Sequence, residues 1–194
     1  MPPVGIGGAL VVGNFGSRLR AKKGRAVPIS EYMRRLREKV GAELLLAPSV
    51  TIITFDEQGR VLLARHADTG VWVAPGGSID PHESPADAAV REMWEETGLL
   101  VEPIRLLGVY GGPEFQVTYS NGDEVSYLMT VFECRVIGGA MRPDRVETLE
   151  LGYFSQADLT KLTLPPWAKV VLPDAFAGHA KTRFKPPTWR PPGR

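Results

Sequence analysis

Arg91, Glu92, Glu95 and Glu96 are spaced so that one helix carries all four on neighbouring turns. Carboxylates at i, i+3 and i+4 repel one another, at a cost of about 0.2–0.5 kcal/mol per like-charge pair on an isolated helix, so a cation is expected among them. Hard oxygen ligands suit Mg²⁺ or Mn²⁺, which keep several waters and are shared with substrate phosphates. Arg91 stands four residues before Glu95 and is placed to pair with it. The plain alternative is a solvated acidic face on an ordinary amphipathic helix. The preceding segment argues against it: Trp72, Pro75, Gly76 and Gly77 lead from an apolar run into a tight turn, and Glu83 follows. Adjacent glycines let the backbone approach an ion or a phosphate closely.

The element that must hold these groups is bounded by local signals. Ser84 is a good N-cap, Pro85 takes the first helical position, and Gly98 supplies the stop. Ala86, Ala89, Val90, Met93, Trp94 and Thr97 form an apolar arc, which predicts that Glu92, Glu95 and Glu96 point away from the core. Upstream, EYMRRLREKV has helical spacing between Ser30 and Gly41. ELLLAPSVTIITF and RVLLAR read as strands joined by a DEQG turn, and EFQVTY and EVSYLMTVFECRVI as strands around Asn121-Gly122, which predicts a type I′ hairpin. ETLELGYF is a further strand, and a last helix is expected between Pro166 and Ala177.

Gly77, Glu83, Arg91, Glu92, Met93, Glu95, Glu96, Gly98 and Leu99 together resemble the signature of Nudix hydrolases, and the pattern extends from about Pro48 to about Phe154. The resemblance implies an α/β (α+β) fold, an α/β/α sandwich around a mixed, strongly twisted sheet, here with an extra N-terminal helix. It also implies metal-dependent hydrolysis of a nucleoside diphosphate linked to another group, by in-line attack of water. By position, Glu92, Glu95 and Glu96 are the carboxylate ligands and Gly76 offers its carbonyl, while Arg91 steadies Glu95. The base is Glu92 or a later acidic residue, for which Glu114, Asp123 and Glu124 are candidates. Arg65, Trp72, Gly77, Tyr110, Phe115 and Tyr119 are the candidate substrate contacts; for the aromatic ones core packing is the competing role. Pro113 lies near a position used by ADP-ribose hydrolysing relatives but does not match it. His66, His82 and His179 have no ligand spacing.

At 194 residues and 43% hydrophobic content the chain supports one core. The expected division is a basic, glycine-rich extension over 1–28, one domain over 29–177 and a basic, Pro-rich tail over 178–194. The net charge of +1 hides this polarity, since every acidic residue lies between Glu31 and Asp174. GIGG near the start reads as a loop. The single Cys134 excludes an intramolecular disulfide and suits a reducing, cytoplasmic compartment, and no apolar run is long enough to span a bilayer. A small nucleotide-type substrate is expected, and family resemblance alone suggests a homodimer, which the sequence neither supports nor excludes. The competing class is a non-catalytic nucleotide or RNA sensor whose tail stacks on single-stranded bases.

Overall fold

A computed structural model of the protein describes residues 30–119 and 121–191. The N-terminal extension, with its GIGG sequence, lies outside the described residues. The elements run α1 (Glu31–Val40), β1 (Leu45–Ile53), β2 (Val61–His66), β3 (Trp72–Val73), α2 (Pro85–Thr97), β4 (Leu99–Tyr110), β5 (Gln116–Thr118), β6 (Glu124–Gly139), β7 (Thr148–Phe154) and α3 (Ala168–Phe176).

The strands divide into two sheets. In the larger, β6 lies between β1, which it pairs in parallel, and β4, which it pairs antiparallel, and β5 also pairs with β6. The smaller is antiparallel, in the order β3-β2-β7. The DEQG segment does turn the chain, with Asp56 N–H donating to Arg60 and a bridge from Phe55 to Val61. Beyond that bridge β1 and β2 separate into different sheets instead of continuing as a hairpin. The segment after β3 rejoins them: Val50 and Ile52 donate their N–H groups to the carbonyls of Gly77 and Pro75. The glycine turn is thereby fixed against β1.

Side chains alternate across β1 because successive residues of a strand face opposite ways. Val50 and Ile52 enter a core with Ala88, Ala89 and Met93 of α2 and with Cys134, whereas Ile53 faces a second core with Met129, Val131 and Val171 and Leu172 of α3. The two helices therefore cover opposite faces of the mixed sheet, as the expected fold requires.

The second predicted turn differs in detail. Tyr119 N–H donates to Asp123 and Gly122 N–H to Tyr119, leaving three residues in the loop, with Gly122 at φ 92°. A type I′ turn centred on Asn121-Gly122 would close a two-residue loop, one residue shorter than the loop these bonds close. The C-terminal segment is also partly built into the body: Arg183 pairs with the edge of β4 through Leu107 and Val109. Among the described residues no helix is long and apolar enough to cross a membrane.

Candidate active site

Helix α2 begins as its sequence predicts, with Ser84 accepting from Asp87 N–H at 3.1 Å and Pro85 at the first position. It ends at Gly98, whose φ of 69° is left-handed backbone that glycine adopts without strain. Its buried surface is wider than the apolar arc predicts. Glu92 and Glu96 are buried, 9% and 7% exposed, whereas Trp94 is half exposed. The reason is the glycine turn, which lies over the acidic side of the helix and shields it from solvent. A Cβ on Gly77 would stand 2.5 Å from Glu92 Oε1, so any other residue would push that carboxylate out of its place. Gly76 N–H donates to Glu96 Oε1 at 3.4 Å.

Arg91 organises the entrance. Its guanidinium donates to both Glu83 oxygens and to Glu92 Oε1 at 2.8 Å, to the Ser78 carbonyl at 3.0 Å and to Glu95 Oε2 at 3.1 Å. The expected bond to Glu95 is present, but the two-pronged grip on Glu83 is the main anchor. That grip holds Glu83 below the usual carboxylate range. Glu95 remains mostly exposed.

The deeper carboxylates are poorly compensated. Burial pushes Glu96 well above the ordinary carboxylate range, and Glu92 and Glu147 push it further. Burial also raises Glu92, against the opposing pull of Arg91. Glu147 is raised to about 7 by burial and by Glu92, Asp144 and Glu95, with no cation among the influences. Among the described residues no three His, Cys, Asp or Glu side chains already converge in metal-binding geometry, and Arg91 bonds Glu83, Glu92 and Glu95. The donor set nonetheless fits a hard divalent ion: several carboxylate oxygens, little hydrogen-bond compensation and the backbone of a glycine turn.

Glu147 is the residue that sequence reasoning missed. Its chain position follows β6, in a loop shaped by Asp144, which accepts from the N–H groups of Val146, Glu147 and Thr148. An Asp followed within four residues by a strand is a weak turn signal, and nothing local tells that the loop reaches α2. The later acidic candidates stand elsewhere. Asp123 is 3.5 Å from Arg37, Glu124 begins β6 and Glu114 is exposed in a 3₁₀ turn; none of them is among the groups acting on Glu92 or Glu96.

The structure divides the candidate substrate contacts between the core and the partly exposed surface. Phe115 is buried in the core beside α3, and Tyr110 is buried there with its hydroxyl on Asp174 at 3.1 Å. Both are taken up by packing, since large rings bury the most area in a core. Trp72 packs edge-on against Phe154, centroids 4.7 Å apart, and is half-buried. Arg65 faces Glu150 across β2 and β7 and pairs with it at 2.8 Å. Tyr119 is half-buried with its hydroxyl 2.6 Å from that of Tyr127.

The family model described as NUDIX domain matches residues 45–175. A MutT-like protein from Streptomyces ambofaciens is 36% identical over 100 residues, which is 52% of this chain and 58% of that protein. A putative 8-oxo-dGTP diphosphatase from Bacillus subtilis is 35% identical over 114 residues, 59% of this chain and 70% of its own length. The chain thus spans little more than half of the first of these relatives. Among solved structures, an ADP-ribose pyrophosphatase from Streptococcus suis superposes with a TM-score of 0.58 at 28% identity, covering 72% of this chain and 98% of that one.

Proposed function

Because the chain belongs to the Nudix family, we propose that it hydrolyses the diphosphate bond of a nucleoside diphosphate derivative with the help of Mg²⁺ or Mn²⁺. The observation that carries this reading is the pair of buried carboxylates Glu92 and Glu96 beneath the Gly76-Gly77 turn, with the half-buried Glu147 adding its charge to Glu96. Burying unpaired carboxylates is costly unless something offsets the charge. An ordinary core would not keep them.

Glu92 and Glu96 would hold the ion, with Glu95 at the exposed rim and the Gly76 carbonyl as a backbone ligand. When bound, a divalent cation supplies the positive charge that draws a diphosphate to an acidic site and polarises the attacking water. Arg91 fixes the rotamers of Glu92 and Glu95 and, through Glu83, ties the helix to the preceding loop. Glu147 is the better candidate for accepting the water's proton. Arg91 pairs directly with Glu92 at 2.8 Å, which ties that carboxylate to a fixed cation, whereas no cation is among the groups acting on Glu147. The lone Cys134, buried and pushed up to about 12, is an inert core thiol and supports a reducing, cytoplasmic setting.

The relatives named for 8-oxo-dGTP and for ADP-ribose share a nucleoside diphosphate unit and differ in what is attached, so that unit is the proposed substrate class. The test is a panel of 8-oxo-dGTP, ADP-ribose and sugar nucleotides, assayed with Mg²⁺ and with Mn²⁺. Release of a nucleoside monophosphate or of phosphate is the expected result. Nucleotide binding without any turnover would favour the sensor reading.

A further inference from the structure

Helix α1 lies ahead of the residues that match the family, which begin at 45. None of its residues is fully buried, so apolar packing alone holds it weakly. Arg37 supplies the attachment. Its side chain is only 10% exposed, and it donates to the carbonyls of Gly41 at 3.1 Å, Glu43 at 2.6 Å and Glu124 at 2.7 Å, while standing 3.5 Å from the Asp123 carboxylate. Two of these partners, Asp123 and Glu124, belong to the hairpin of β5 and β6.

The same hairpin carries Tyr119, whose backbone N–H bonds to Asp123 and whose hydroxyl bonds to Tyr127. Tyr127 lies beside Ala47 in the parallel register of β1 and β6, and two residues further Met129 lies beside Ser49. Ser49 in turn bridges to Ser78, whose carbonyl is held by Arg91. A continuous row on one sheet face therefore leads from the tyrosine pair to the glycine turn. Ser49 is 3% exposed and its hydroxyl has no hydrogen-bond partner among the described residues, an arrangement that suits a ligand atom. The carboxylate of Glu147 is also among the charges felt by Tyr119.

We propose that Arg37 is a positioning residue for the substrate: by fastening α1 to the hairpin, it fixes the Tyr119–Tyr127 hydroxyl pair as the wall that receives the uncharged, nucleoside part of the substrate. The inference rests on the hydrolase reading above. The row offers neutral hydroxyls, and the N–H groups of Arg37 are occupied by carbonyls and Asp123, so it suits a neutral hydrogen-bonding ring or sugar and not a phosphate.

The full chain and its Arg37→Ala, Arg37→Lys and Tyr119→Phe variants are to be compared by steady-state kinetics on ADP-ribose and 8-oxo-dGTP, with Tm recorded. Arg37→Ala is expected to raise KM about tenfold, the size of a lost preorganised contact, with kcat little changed. Arg37→Lys recovers only part, since an ammonium cannot reproduce the fork of bonds. Tyr119→Phe, which keeps the packing, raises KM about fivefold through one lost hydrogen bond. A purely structural role would lower Tm and kcat and leave KM in place. KM unchanged in Tyr119→Phe and in the folded Arg37 variants overturns the proposal. If the wild type hydrolyses neither probe, the hydrolase reading falls, and the Kd for ADP-ribose in Mg²⁺ decides the proposal by the same ratios; no binding by the wild type overturns both.

Discussion

Glu96→Gln keeps the shape of the side chain and its bond from Gly76 but removes the charge that the site cannot otherwise neutralise. The variant is expected to fold with a Tm at or above that of the wild type in metal-free buffer, and to lose essentially all hydrolysis in a coupled phosphate assay. Glu147→Gln separates the base from the ligands, and should lower kcat by roughly 10²–10⁴ while a metal titration changes less. The pH dependence of stability follows from the same residues. Glu92, Glu96 and Glu147 all have raised folded-state pKa values, so between the ordinary carboxylate range and about 7 for Glu147 the folded state binds more protons than the unfolded state. Their contribution is therefore present at low pH and is lost as pH rises through that window. Metal-free protein should melt lower at pH 8 than at pH 5, and Mg²⁺ at ~100 Kd should restore roughly 5–10 °C at pH 8, and less at pH 5, by differential scanning fluorimetry. At this scale the sequence was most legible where spacing is local: Arg91, Glu92, Glu95 and Glu96 share one helix, and i to i+4 geometry is a property of the chain itself. Glu147 was invisible because a loop some fifty residues later brings it in.

The helix and the turn before it act together. Ser84, Pro85 and Gly98 mark the bounds of α2 in the sequence, and the structure has them in those roles. The apolar arc was misread because the pattern cannot reveal a loop that covers a polar face, so Trp94 was expected inside and Glu92 and Glu96 outside. Gly77→Ala tests that cover directly. Its backbone is not in the left-handed region, so the added methyl acts only by crowding Glu92. The variant should stay folded, lose at most about 1–3 kcal/mol of stability by chemical denaturation, and lose activity out of proportion to it. The Tyr119 hairpin shows a related limit, since Asn121-Gly122 announces a turn but not the contacts of Arg37 with Asp123 and Glu124 just after it.

For the molecule as a whole, the order of strands was the least legible feature. The strands are readable as β-rich runs between turn signals except β4, which follows Gly98 directly, but pairing of β1 with β6 joins residues about eighty positions apart and leaves no local mark. The C-terminal segment is similar: it reads as a solvated tail, yet Arg183 pairs with β4 and stands 3.3 Å from Asp174, which also holds Tyr110. Deleting residues 178–194 removes two strand bonds, the bonds of Arg105 to the His179 carbonyl and of Thr182 to the Leu106 carbonyl, and that ion pair, together worth about 3–5 kcal/mol, and should lower Tm by roughly 10–15 °C. Deleting only residues 185–194, where Trp189 is exposed, should leave Tm unchanged.

The central claim is that the carboxylates under the glycine turn take a divalent ion. Electron paramagnetic resonance of Mn²⁺ titrated into the wild type and into Glu96→Gln at pH 8 measures this without reference to any substrate. Saturable binding by the wild type, lost or greatly weakened in the variant, is the predicted result; equal binding by both, or none by the wild type, would contradict the account.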